Sequence, residues 1–177
     1  MKRILIFLLL FCAGMVLYVG AQNIIANESS INFTIKNAGI NVKGSLPPPK
    51  GTVVFDANNL PASHFDVDID VTGINTNIPK RDNHLRSEDF FDVQKYPSMH
   101  FVSSSIVRTS KGYIAYGKLK IKDVEKKVGL PFTYTRKGNS GLLDGTLVIN
   151  RLDYGVGDKS VSLNNDVSIF IKVAVDK

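Results

Sequence analysis

Apolar residues at every second position, sustained from Ile31 to Val175, constrain this chain more than any other feature. Ile31, Phe33 and Ile35 alternate with Asn32, Thr34 and Lys36, and Phe65, Val67, Ile69 and Val71 with Asp66, Asp68, Asp70 and Thr72. Tyr113, Ala115, Gly117, Leu119 and Ile121 share one face, opposite Lys118, Lys120 and Lys122. The same rule covers Met99 to Ser103, Val128 to Tyr134, Leu147 and Ile149, and Val167 to Val175. A period of two sends successive side chains to opposite sides of a strand, so each run has one face for a core and one for water. Asn58, Asn59 and Pro61, then Lys111 and Gly112, mark turns between runs. Gly39 to Gly44 is a weaker segment, and Gly51 to Asp56 a short strand with Val53 and Phe55 on one face. The three prolines between Ser45 and Lys50 form a loop that cannot join a sheet interior. The pattern predicts an all-β, antiparallel fold. About eight strands with almost no helix to cover a sheet favour a closed barrel, which leaves no exposed edge.

One stretch breaks the pattern. Asn77 to Ser103 is dense in charge, opens after Pro79, reads as one short helix and ends at Pro97. Phe90 and Phe91 sit among its charges. Two phenylalanines in so polar a segment imply a surface for them to cover, so the stretch reads as a lid on the β-scaffold.

The first 21 residues are of another kind. Lys2 and Arg3 precede an apolar run from Ile4 to Val19, and Val19-Gly20-Ala21 offers short residues before Gln22. That order is a signal peptide cleaved before Gln22, leaving residues 22–177 as one domain. The alternative is an uncleaved membrane anchor. The run is slightly short for a spanning helix and no Lys or Arg follows it closely, which favours cleavage. Acylation of Cys12 is disfavoured by Phe11 before it. Cleavage removes the only cysteine, so the exported chain would rely on its core and hydrogen-bond ladders. It also lowers Lys+Arg from 22 to 20 against 16 acids. That mild excess suits an anionic membrane surface or ligand head and is too diffuse for nucleic acid.

The candidates for chemistry are weak. Asp66, Asp68 and Asp70 resemble a calcium loop, but Val71 and Asn77 stand where it needs Gly and Glu, so they read as a wet strand face. His64, His84 and His100 have no ligand spacing, and no metal site is expected. The lid carboxylates Asp82, Glu88, Asp89 and Asp92 interleave with Lys80, Arg81, Arg86 and Lys95 and read as ion pairs. There is no G-x-S-x-G elbow, phosphate loop or dinucleotide glycine pattern. No catalytic residue is assigned. Arg151 falls on the same face as Leu147 and Ile149, so it needs a partner there: Asp153, a lid carboxylate or an anionic head group. The barrel interior is either packed with side chains or open to one slender ligand. Ala115 and Gly117 lean to the second, and alternation leaves both open.

The central motif resembles the YceI-like family. It runs Thr76, Arg81-Asp82-x-His84-Leu85-Arg86-Ser87-x-Asp89-Phe90-Phe91-Asp92, Tyr96-Pro97 and Phe101-x-Ser103. Gly117 to Lys122 and Asn150 to Val156 match as well, so the resemblance spans about Ile31 to Val175. Asp123 where glycine is common, Tyr154 where phenylalanine is usual, and the proline loop are departures outside the central motif. The resemblance implies an extended, lipocalin-like eight-stranded antiparallel β-barrel with one short helix near its mouth. It implies a periplasmic or secreted binding or transport protein, not an enzyme, with a long isoprenoid or similar lipid in an apolar tunnel. A polyprenyl quinone or a fatty-acid-type lipid would be cargo, not a cofactor. Transient contact with a membrane surface and a homodimer are compatible with this reading.

On that implication the tail would lie against Phe33, Ile35, Phe55, Val67, Ile69, Phe101, Leu119, Ile121, Leu130, Phe132, Leu147 and Ile169. Phe90 and Phe91 would close the mouth, and Arg81, Arg86 or Arg151 would meet a polar head. The competing expectations are an envelope-stress or interaction protein with a packed barrel, and an enzyme using lid carboxylates or His84.

Overall fold

The computed structural model describes residues 20–176. The expected leader, residues 1–21, lies outside them except for Gly20 and Ala21. The alternating runs form antiparallel strands: β1 (Asn23–Ile24), β2 (Ser30–Asn37), β3 (Ile40–Leu46), β4 (Lys50–Val54) and β5 (His64–Asp70). After α1 (Pro79–Arg86) come β6 (Ser98–Thr109), β7 (Gly112–Ile121), β8 (Val124–Lys137), β9 (Ser140–Asn150) and β10 (Leu163–Asp176). They make one curled sheet in the order β3-β2-β10-β9-β8-β7-β6-β5-β4, with β1 also on β10.

Ten strands appear where about eight were expected. Part of the difference is β1, which takes over the edge of β10 where β2 leaves it, pairing Ile24 with Val175. Beyond it, Gln22 N–H donates to Val53 O (2.8 Å) and the Gln22 side chain accepts from Phe55 N–H (3.1 Å). Gln22 thereby joins the two sides of the rolled sheet at one end. Ser45 and Asn75 exchange backbone bonds of 2.8 and 3.0 Å further along. Among the described residues these bridges, not a continuous β3–β4 ladder, close the curl. The proline corner explains why: Pro47 to Pro49 turn the chain out of β3 without donors for a ladder.

β6 runs past Ser103, where the alternation falters in the sequence. A register shift between Ser103 and Ser105 leaves Ser104 and Ser105 exposed and returns Ile106 to the core. Gly117 faces that bulge, and a Cβ there would run into the Val102 carbonyl. Its smallness, like that of fully buried Ala115, serves close packing and does not widen a tunnel. On the outer wall Asp66 and Asp68 flank His100 at 3.5 and 3.1 Å.

The lid holds the one short helix its sequence predicts. α1 stops at Arg86, and Ser87 to Pro97 continues as turns, with Phe90 and Asp92 N–H both donating to Ser87 O. The polar helix buries one residue, Asp82. It is therefore held by hydrogen bonds more than by an apolar stripe.

Candidate functional site

The inward faces do not meet at the centre. They enclose a cavity of about 420 Å³ whose wall is almost wholly aliphatic and phenylalanine. Strands supply it by parity: Phe33 and Ile35 from β2, Val67 and Ile69 from β5, Phe101 from β6, Leu119 and Ile121 from β7. Leu130 and Phe132 come from β8, Leu147 from β9 and Ile169 from β10. Phe90 and Phe91 reach the same space from the lid.

Phe55 is the exception among the expected apolar residues. It is buried but lies outside the cavity, at the centre of an aromatic plug. Its ring is 4.9 Å from Tyr113, 5.4 Å from Phe132 and 4.8 Å from Tyr134. Tyr113 and Phe132 stack at 5.4 Å. Edge-on and offset contacts of this kind fill one end of the barrel tightly, and Phe132 forms the floor of the cavity.

The polar lining gathers at the other end: Asn37, Thr76, Arg81, His84, Arg151 and Ser162. The three expected arginines separate here. Arg86 is off the wall, because its guanidinium donates to Thr72 O and Ile74 O, both at 2.7 Å, and ties α1 to the segment after β5. Arg81 is on the wall. Its Nε donates to Thr76 Oγ1 (2.7 Å) and its Nη2 to Thr76 O (2.9 Å), and Nη1 takes no hydrogen bond among the described residues. Buried Asp82 accepts from Thr76 N–H at 2.8 Å and from the Thr76 hydroxyl, which fixes the start of the lid.

Arg151 is on the wall and only 3% exposed, yet among the described residues it has no carboxylate partner of the kind expected. Asp153 pairs with Lys126 instead (3.6 Å). Arg151 donates to three carbonyls: Asn164 O (3.0 Å), Val156 O (2.8 Å) and Asp158 O (2.7 Å). It is the strut of the loop that rims the mouth. Burial draws its pKa downward, and the Asp158 charge opposes that. Phe90 lies over Gly157 of the same loop, where a Cβ would be 2.6 Å from the ring and φ is +68°. His84 meets Phe90 edge-on at 4.9 Å and Asp89 at 3.3 Å. The lid thus rests on the rim through Phe90.

Some wall residues were not identified from sequence. Ile74 and Leu85 line the cavity from the aperiodic stretch around the lid, where no period marks them. Phe65, Met99, Val167 and Ile171 do follow the alternation, and parity alone finds them.

The sequence profile of the YceI-like domain matches residues 23–175. A UPF0312 protein of Yersinia enterocolitica is 35% identical over 135 residues, covering 74% of this chain and 69% of that protein. Among solved structures, Burkholderia cenocepacia BcnA is similar with a TM-score of 0.82 at 24% identity, covering 86% of this chain and 99% of that one. A domain from Saccharophagus degradans described as polyisoprenoid-binding has a TM-score of 0.68 at 13% identity, covering 90% and 99%. At those identities the two structures speak for the fold.

Proposed function

This chain belongs to the YceI-like family, and on that premise we propose that it is an exported carrier whose barrel holds the tail of a long isoprenoid or similar lipid. The observation that carries the reading is the cavity itself, apolar along its wall, floored by aromatic rings and polar only at its lid. On β10 the wall runs from Val167 to Val173, which at the rise of a strand makes room for a tail of about 20 Å. Each methylene buried there contributes about 0.8 kcal/mol, less the cost of ordering a flexible chain. Few polar contacts are then needed for affinity. The free Nη1 edge of Arg81 is suited to a phosphate or carbonyl head, whereas Arg151 is already committed to the rim. The leader-like first 21 residues support export. The described polyisoprenoid binding of the Saccharophagus domain agrees with the cargo class. The pocket offers an almost wholly apolar wall, which supports binding as the reading.

Titration with farnesol, geranylgeraniol and longer prenols tests this. Affinity is expected to rise with each added unit until the tail spans the wall and then to level off. Affinity independent of tail length would overturn the reading.

A further inference from the structure

Two of the most exposed apolar side chains in the described structure stand at the lid end of the barrel: Val161, 110% exposed, and Ile40, 71% exposed. They sit on loop tips that are joined, since Ala38 N–H donates to Ser162 O at 2.8 Å. The hairpin tip between β2 and β3 is a two-residue turn with Ala38 at φ +49° and Gly39 at φ +80°. Positive φ at both central positions gives the tight turn that matches strand twist, so Ile40 is held outward by a rigid tip. Both tips continue into the cavity wall, through Asn37 and Val42 on one side and Ser162 and Leu163 on the other.

The two tips themselves carry charge of one dominant sign. The hairpin from Ser30 to Leu46 carries exposed Lys36 and Lys43 and no acid. The neighbouring loop adds exposed Lys159, and its one acid, Asp158, interacts with Arg151. Two side chains are far too small for a stable protein interface, which needs about 1,000 Å². They are enough to enter the headgroup–acyl boundary of a bilayer while flanking lysines meet anionic headgroups.

We propose that the Ala38–Ile40 and Val161 tips dock the open end of the barrel onto an anionic lipid bilayer, so that a tail passes between bilayer and cavity without crossing water. This deepens the carrier reading and rests on it. The chain contains no tryptophan, so Ile40→Trp and Val161→Trp each install a single reporter. Tyr116→Trp, at a position 47% exposed on the outer wall of β7 beside the plug, is the control. Each variant is titrated with phosphatidylcholine vesicles containing about one quarter phosphatidylglycerol, with and without brominated acyl chains. The two mouth reporters are expected to shift to the blue and to be quenched several-fold more than the Tyr116→Trp reporter, with salt weakening the effect. The readout is positional, so a tether elsewhere on the chain does not mimic it. Equal quenching at all three positions, or none at the mouth, overturns the docking. Farnesol uptake without vesicles, measured on the same variants, separates the two readings. Uptake without mouth quenching sinks docking alone, and mouth quenching without uptake sustains docking and sinks the carrier.

Discussion

Arg151→Met removes the rim strut while keeping much of the side-chain volume. Three carbonyls lose a charged donor, one of them buried and two partly buried. A hydrogen bond to a charged group contributes about 1.5–3 kcal/mol, and an abandoned buried acceptor costs about 1–3 kcal/mol. Water reaches the two partly buried carbonyls and recovers some of this, so a net loss of about 3–4 kcal/mol is expected. Against a typical total of about 5–15 kcal/mol, that is a large fraction. Urea unfolding measures it as a lower midpoint with little change in slope. Arg151→Lys is expected to recover only part of the loss, because one ammonium cannot present a fork to three carbonyls. Hydrogen exchange adds a local readout, with the amides from Val156 to Leu163 losing protection first. An Arg151→Met protein within about 1 kcal/mol of the parent that nonetheless fails to bind an anionic prenyl lipid would refute the argument. Arg151 would then be a head-group ligand and not a strut.

Other perturbations probe the tunnel, the lid and the core. Leu119→Trp fills the middle of the wall, so long prenols are expected to bind at least tenfold more weakly while short ones and the far-ultraviolet spectrum change little; unchanged long-chain affinity would contradict the wall assignment. Asp82→Ala strips the acceptor from the Thr76 amide and hydroxyl and is expected to cost about 2–3 kcal/mol in urea unfolding, with exchange quickening in α1. Tyr154 is buried, and burial raises its pKa above the ordinary 10.0, with Asp153 adding to the shift. A raised folded pKa leaves its contribution to stability intact below pH 10.0 and erodes it as the pH climbs further. Absorbance titration should therefore show one late-ionising tyrosine that Tyr154→Phe removes, and an unaltered titration curve in that variant would count against the assignment.

Parity was legible because most strands have one wet face. Leu119 sits between Lys118 and Lys120, so a one-residue slip in register would put it in water and both lysines in the core. Parity says inward but not how deep. Phe55 obeys the rule and still misses the cavity, because depth depends on which residues lie across the barrel: Tyr113, Phe132 and Tyr134 surround it. Arg151 lies on the wall where alternation put it, but the carboxylates expected to pair with it, Asp153 or a lid acid, do not do so among the described residues. Its acceptors are backbone carbonyls of the rim loop, and no side-chain pattern records a carbonyl. The bulge at Ser103 reversed parity within β6 and hid the second half of that strand. The lid was recognisable from its charges and its two phenylalanines. Its short helix was legible as well, opening at Pro79 as expected; where it ends was not, since what stops α1 is the extended conformation of Ser87 and the turns beyond it.

Native mass spectrometry of the protein, purified from its source envelope without detergent and followed by lipid extraction, decides whether the cavity carries a lipid. A co-purifying lipid of defined mass with a long apolar tail is expected, displaced in proportion as a longer prenol is added. A homogeneous ligand-free mass that persists after incubation with prenyl lipids would contradict it and favour an interaction protein in which the cavity carries no cargo.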